Sequence, residues 1–130
     1  MPYEQTYFHM GVHNLDPSLA ISFMQEFARF TRKPETYVLG QLLEALEADF
    51  SVLVVLNHPL WDMAGVGRAQ LTAQLRQFLR AYGRPIHALE INGLRSWQEN
   101  MSAVSWPGNL GTRWWPEATA TDRNPTRSSI

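Results

Sequence analysis

Five successive apolar residues, Val52–Leu56, stop abruptly at Asn57, His58 and Pro59. A Val-rich run this short, bounded by polar residues and proline, specifies a buried strand of the kind found in parallel sheets covered by helices. In α/β sheets and barrels the carboxyl ends of such strands build the active site. Here that end presents an imidazole. His58 is thus a candidate functional residue, with a polar strand terminator as the plainer alternative.

The flanking sequence supplies the layers around this strand. Thr6–His13, with its aromatic and Val residues, reads as a first strand. Asp16-Pro17 is a helix start, with Asp as N-cap and Pro in the first turn. Leu19, Phe23, Phe27 and Phe30 then form one apolar stripe at helical spacing. A second helix follows Pro34 and runs to about residue 48, its core face carried by Leu39, Leu42, Leu43 and Leu46. Arg68–Tyr82 is a third helix. Pro85–Asn92 is another strand, and Ser96 with Glu99 fits a capping box at the start of a fourth helix. Alternation of strands and helices predicts an α/β fold with parallel strands and right-handed crossovers. Three strands are few for an independent sheet, and a complete β/α barrel takes about 250 residues. A section of something larger is therefore expected.

Composition removes several function classes. The chain has 130 residues with 45% hydrophobic and 18% charged content, which is globular and not disordered. The net charge of -1 gives no basic excess for a nucleic-acid surface. With no Cys, a disulfide or thiolate metal site is excluded, so a metal would need His, Asp or Glu. No apolar run approaches the roughly 20 residues that span a bilayer, and the first residues lack the pattern of a signal peptide. No membrane partner and a cytoplasmic location are the expectation.

The titratable residues divide by their setting. On a strand, His9 and His13 share a face but lie roughly 13 Å apart, too far for one metal ion. At most one of them ligates a given ion, and a hydrogen-bonded His in the sheet is the alternative. Glu90 lies in an apolar strand, where a carboxylate is costly unless paired or metal-bound; an ion pair with an Arg is the plainer reading. Asp62 is a candidate loop ligand or a cap for the Gly-rich turn after it. Asn57 and Asn92 are candidate substrate-binding residues at strand ends.

Leu56-Asn57-His58-Pro59 at one strand end and Ala88-Leu89-Glu90-Ile91-Asn92-Gly93 at the next resemble the PHP (polymerase and histidinol phosphatase) superfamily. Phe8-His9-Met10-Gly11 is similar to another ligand-bearing strand of that family. The resemblance covers roughly residues 6–104. It implies a section of a distorted β/α (TIM-like) barrel and divalent metal ions: zinc, manganese or iron. It also implies His58 and His9 as ligands, Glu90 beside or on the metal, and a small phosphate ester as substrate of the intact parent. Two family features are missing: the opening H-x-H on the first barrel strand and the closing D-x-H. Residues 1–104 are accordingly expected to form a partial PHP-like barrel domain.

Residues 105–130 change character. Helical periodicity stops, yet three of the five Trp fall here. A disordered tail is the plain reading of its Pro, Ser and Thr content. An out-of-frame translation is the sharper one. Read from the third base of each codon, Trp114-Trp115-Pro116 compels Val then Ala. Permitted third bases through Thr121 then yield an Asp-x-His, the feature found missing.

The expected function is therefore a fragment of a PHP-like metal-dependent hydrolase of phosphate esters, inactive as this chain. A non-catalytic PHP-type scaffold or interaction module is the first alternative. Another metal-dependent hydrolase barrel is the second. Open sheet edges would favour self-association.

Overall fold

The computed structural model describes residues 1–105 and, as backbone, the strand 113–116. A short hairpin, β1 (Pro2–Tyr3) and β2 (Thr6–Tyr7), opens the chain. Then come β3 (His9–His13), α1 (Pro17–Arg32), α2 (Thr36–Glu47), β4 (Leu53–Asn57) and α3 (Arg68–Tyr82). β5 (Ala88–Ile91), α4 (Trp97–Ser105) and β6 (Arg113–Pro116) follow. The last four strands form one sheet in the order β3-β4-β5-β6. Most of the tail read as out of frame, 106–112 and 117–130, lies outside the described residues.

The direction of β3 corrects the expected barrel section. β3 pairs antiparallel with β4, whereas β4–β5 and β5–β6 are parallel. The described residues thus form an open mixed α/β sheet and no closed TIM-like barrel. The cause is the number of helices between strands. A helix folded back along a sheet reverses the chain, so one helix returns the next strand parallel and two return it antiparallel. α1 and α2 both lie between β3 and β4, while α3 alone joins β4 to β5. Alternation of element types sets the class, but parity sets strand direction.

Local chemistry fixes the helix ends. Asp16 Oδ1 accepts the Ser18 backbone N–H at 2.7 Å, with Pro17 in the first turn of α1. The capping box at α4 is formed: Ser96 Oγ accepts the Glu99 N–H at 3.2 Å, and Glu99 Oε2 accepts the Ser96 N–H at 3.3 Å.

The core lies where α2 and α3 meet the sheet. Leu39, Leu43 and Leu46 pack with Leu71, Leu75 and Phe78 around Val54, Leu56 and Leu89. The hairpin closes one side of it: the Tyr3 and Phe8 rings stand 5.2 and 5.0 Å from the Phe78 ring. α1 is different. Of its apolar stripe only Phe30 is buried, and Leu19 is 54% exposed. No helix of the described residues is long and apolar enough to cross a membrane.

The central position of Phe78 generates a stability test. Phe78 is fully buried, whereas Ile21 on α1 is 71% exposed. Phe78→Ala should cost about 3–5 kcal/mol in urea unfolding. Ile21→Ala should stay within about 0.5 kcal/mol. Equal costs would contradict this account of the core.

Candidate functional site

Strand register builds one polar row across the sheet. His9 is the register partner of Asn57 in the antiparallel pair, so both side chains lie on one face. Leu56 pairs with Leu89, and both belong to the helical core. Asn57 and Glu90 each follow by one residue and point to the opposite face. His9, Asn57 and Glu90 thus share that face at the carboxyl end of β4. His58 stands immediately beyond.

Glu90 organises this row. Its Oε2 accepts two hydrogen bonds from His58: the backbone N–H at 2.7 Å and the ring at Nδ1, 2.9 Å. The side chains of His58 and Glu90 are only 16% and 15% exposed. His58 has φ +31, in the left-handed region where a non-glycine residue is strained by about 1–2 kcal/mol. The paired hydrogen bonds to one carboxylate oxygen offset that strain and hold the ring. The plainer expectation for Glu90, an ion pair with an Arg, is replaced by this His contact.

The chain of contacts continues to His9. His58 Nε2 lies 2.8 Å from His9 Nδ1. One proton assignment satisfies both contacts with neutral rings: His58 carries its proton on Nδ1 and donates to Glu90, and His9 Nδ1–H donates to His58 Nε2. His9 is exposed, so the far end of the chain opens to solvent. The His9 imidazole is held below its ordinary pKa of 6.5, first by burial, then by repulsion from His58 and the amino terminus, with Glu90 opposing.

Trp61 and Arg95 belong to this site and were not singled out by sequence. The Trp61 N–H donates to the His58 carbonyl at 2.9 Å, closing a turn with Pro59 in its second position. The indole thereby stands edge-on to His58 at 5.0 Å and to His9 at 6.3 Å. The Arg95 guanidinium sits 5.3 Å from the Trp61 ring centroid and forks onto both Glu99 oxygens at 2.9 and 3.0 Å. The signal was present: His-Pro-x-Trp is a turn that returns its fourth residue to its first.

The other candidates are placed apart or otherwise engaged. His13 pairs with Leu53 at the opposite end of β4 from His9. Its ring folds back over Gly11, where an added Cβ would stand 3.0 Å from His13 Nε2 and 3.4 Å from the Asn57 amide. Asp62 caps the loop before α3: its two oxygens accept the N–H groups of Val66 at 3.0 Å and Gly67 at 2.7 Å. Asn92 Oδ1 accepts the Leu94 N–H at 2.8 Å and so closes a turn.

The donor set meets half the requirements of a metal centre. Two imidazole nitrogens face each other, and a carboxylate holds the second nitrogen of one ring, the usual outer partner of a metal-bound His. Two nitrogens on one tetrahedral zinc stand roughly 3.3 Å apart, so a parting of the rings together with transfer of the His9 proton from Nδ1 to Nε2 would convert the 2.8 Å contact into a pair of donors. Among the described residues no group of three or more His, Asp or Glu side chains is arranged to hold a metal ion. No family model matches the chain, and neither a curated protein nor a solved structure matches it.

Two outcomes follow from the geometry. Glu90→Ala leaves two His58 donors without their acceptor and should lower stability by about 2–3 kcal/mol in denaturant titration; an unchanged midpoint would contradict the organising role of Glu90. His9 has a folded pKa below 6.5, so the folded chain binds fewer protons than the unfolded one between the two values. The stability it contributes is present above about pH 6.5 and is lost as pH falls through that window. Urea midpoints should therefore drop more steeply on acidification in the wild type than in His9→Gln, and identical slopes would refute the assignment.

Proposed function

We propose that this chain carries part of the metal centre of a hydrolase acting on phosphate esters. His58 and His9 are the ligands to a divalent ion such as zinc, manganese or iron. Glu90 is the carboxylate that holds His58. The single observation that carries this reading is the double acceptance by Glu90 Oε2 of the His58 backbone and ring N–H groups. It fixes the tautomer in which Nε2 offers its lone pair toward His9. The phosphate-ester class rests on the resemblance to PHP proteins around His9, His58-Pro59 and Glu90.

A bound divalent ion would polarise a phosphate ester and lower the pKa of an attacking water. The chain's own residues bind and orient. Glu90 keeps the His58 proton on Nδ1. His9 admits ligand from the solvent side. Trp61 walls one side of both imidazoles and limits water there. A non-catalytic scaffold is the second reading, favoured by the absence of a three-donor group among the described residues.

Calorimetric titration with zinc and with manganese tests the proposal. One ion per chain is expected, bound by the wild type and not by His58→Ala. Glu90→Gln should weaken binding by about 10–100-fold, as loss of an outer partner does. No binding by the wild type would overturn the metal reading. Binding without hydrolysis of 4-nitrophenyl phosphate would favour the scaffold.

A further inference from the structure

A cavity of about 690 Å³ separates α1 from the edge strand β3. That volume lies within the roughly 300–1,000 Å³ of small-molecule sites. Phe23, Met24 and Phe27 of α1 form one wall, and Met10 and Val12 of β3 the other. Among the described residues no Lys, Arg, Asp or Glu lines it, but the amino-terminal Met1 and the polar Asn14 and Thr31 do. His9 and Asn57, two members of the polar row, line it too. Met10 and Val12 face the leucine core and His9 the opposite side, so the cavity reaches the His9–His58–Glu90 chain around the edge of β3, at His9.

We infer that this cavity takes the apolar body of the ligand whose polar head reaches His9, and that the substrate is an aryl or alkyl phosphate. The inference rests on the phosphate-ester reading for the identity of the head. Two observations support the body. The Phe23 and Phe27 rings lie 4.9 Å apart at 52°, a tilted aromatic wall suited to a further ring. Met24 is 65% exposed, so among the described residues the core leaves this part of α1 uncovered.

The test uses the full chain with zinc and three probes in calorimetry. Methylphosphonate carries the head alone, 2-naphthol the body alone, and 2-naphthylmethylphosphonate both, with no ester bond to cleave. The combined probe should bind at least about tenfold tighter than methylphosphonate, as buried ring area requires. Met24→Glu, at an exposed helix position, should erase that advantage with an unchanged circular dichroism spectrum. Met24→Leu should preserve it. Equal affinities of the two phosphonates, or indifference to Met24→Glu, would overturn the cavity inference while bound methylphosphonate keeps the hydrolase reading. Binding of 2-naphthol that is sensitive to Met24→Glu, without any binding of methylphosphonate, would keep the cavity and remove the phosphate reading. A dimer in sedimentation that the combined probe cannot enter would assign the cavity to a second copy and overturn the inference.

Discussion

Two helices separate β3 from β4, and the position of the candidate site depends on that. Each helix reverses the chain, so β4 returns antiparallel to β3 and its last residue, Asn57, falls beside His9, the first residue of β3. A single helix would have sent His9 to the opposite end of the sheet. The antiparallel register then aligns His9 with Asn57, and the parallel register of β5 brings Glu90 into the same row. Three segments distant in sequence thereby meet on the face opposite the leucine core.

Within that row the energetics centre on one carboxylate. Glu90 is mostly buried in an otherwise apolar strand, a position that is costly without partners. His58 is held at a positive φ just past a strand end. Each defect compensates the other: the carboxylate gains two donors, and the strained residue gains a fixed conformation. The Pro59 turn then folds Trp61 against both imidazoles. Strain that persists because its surroundings over-determine it is typical of functional positions. The exposed end of the chain, His9, lies at the margin of the cavity beside α1.

Much of this was legible in the sequence, and the failures have definite causes. Val52–Leu56, the leucines of α2 and α3, Asp16 and the Ser96–Glu99 box all announce themselves through period, burial or cap chemistry. His9, His58 and Glu90 were identifiable as polar residues at or within apolar strands. The barrel was not borne out because strand direction depends on helix parity: the two helices legible between the first two strands make those strands antiparallel. Glu90 as the partner of His58 was invisible because it needs the β4–β5 register. Asp62 read as a cap of the Gly-rich turn ahead of a loop ligand, and both oxygens go to backbone N–H groups. The stripe on α1 has core periodicity but lacks a packing partner on half its length, and period alone cannot reveal that.

The central claim is that Glu90, His58 and His9 form one directed hydrogen-bonded chain. Two-bond proton–nitrogen correlation spectra of the imidazole rings measure it directly. The account predicts that His58 carries its proton on Nδ1, with that proton shifted downfield by its bond to Glu90, and that the signal is lost in Glu90→Ala. A His58 ring protonated on Nε2, the form usual for a solvated histidine, would contradict it.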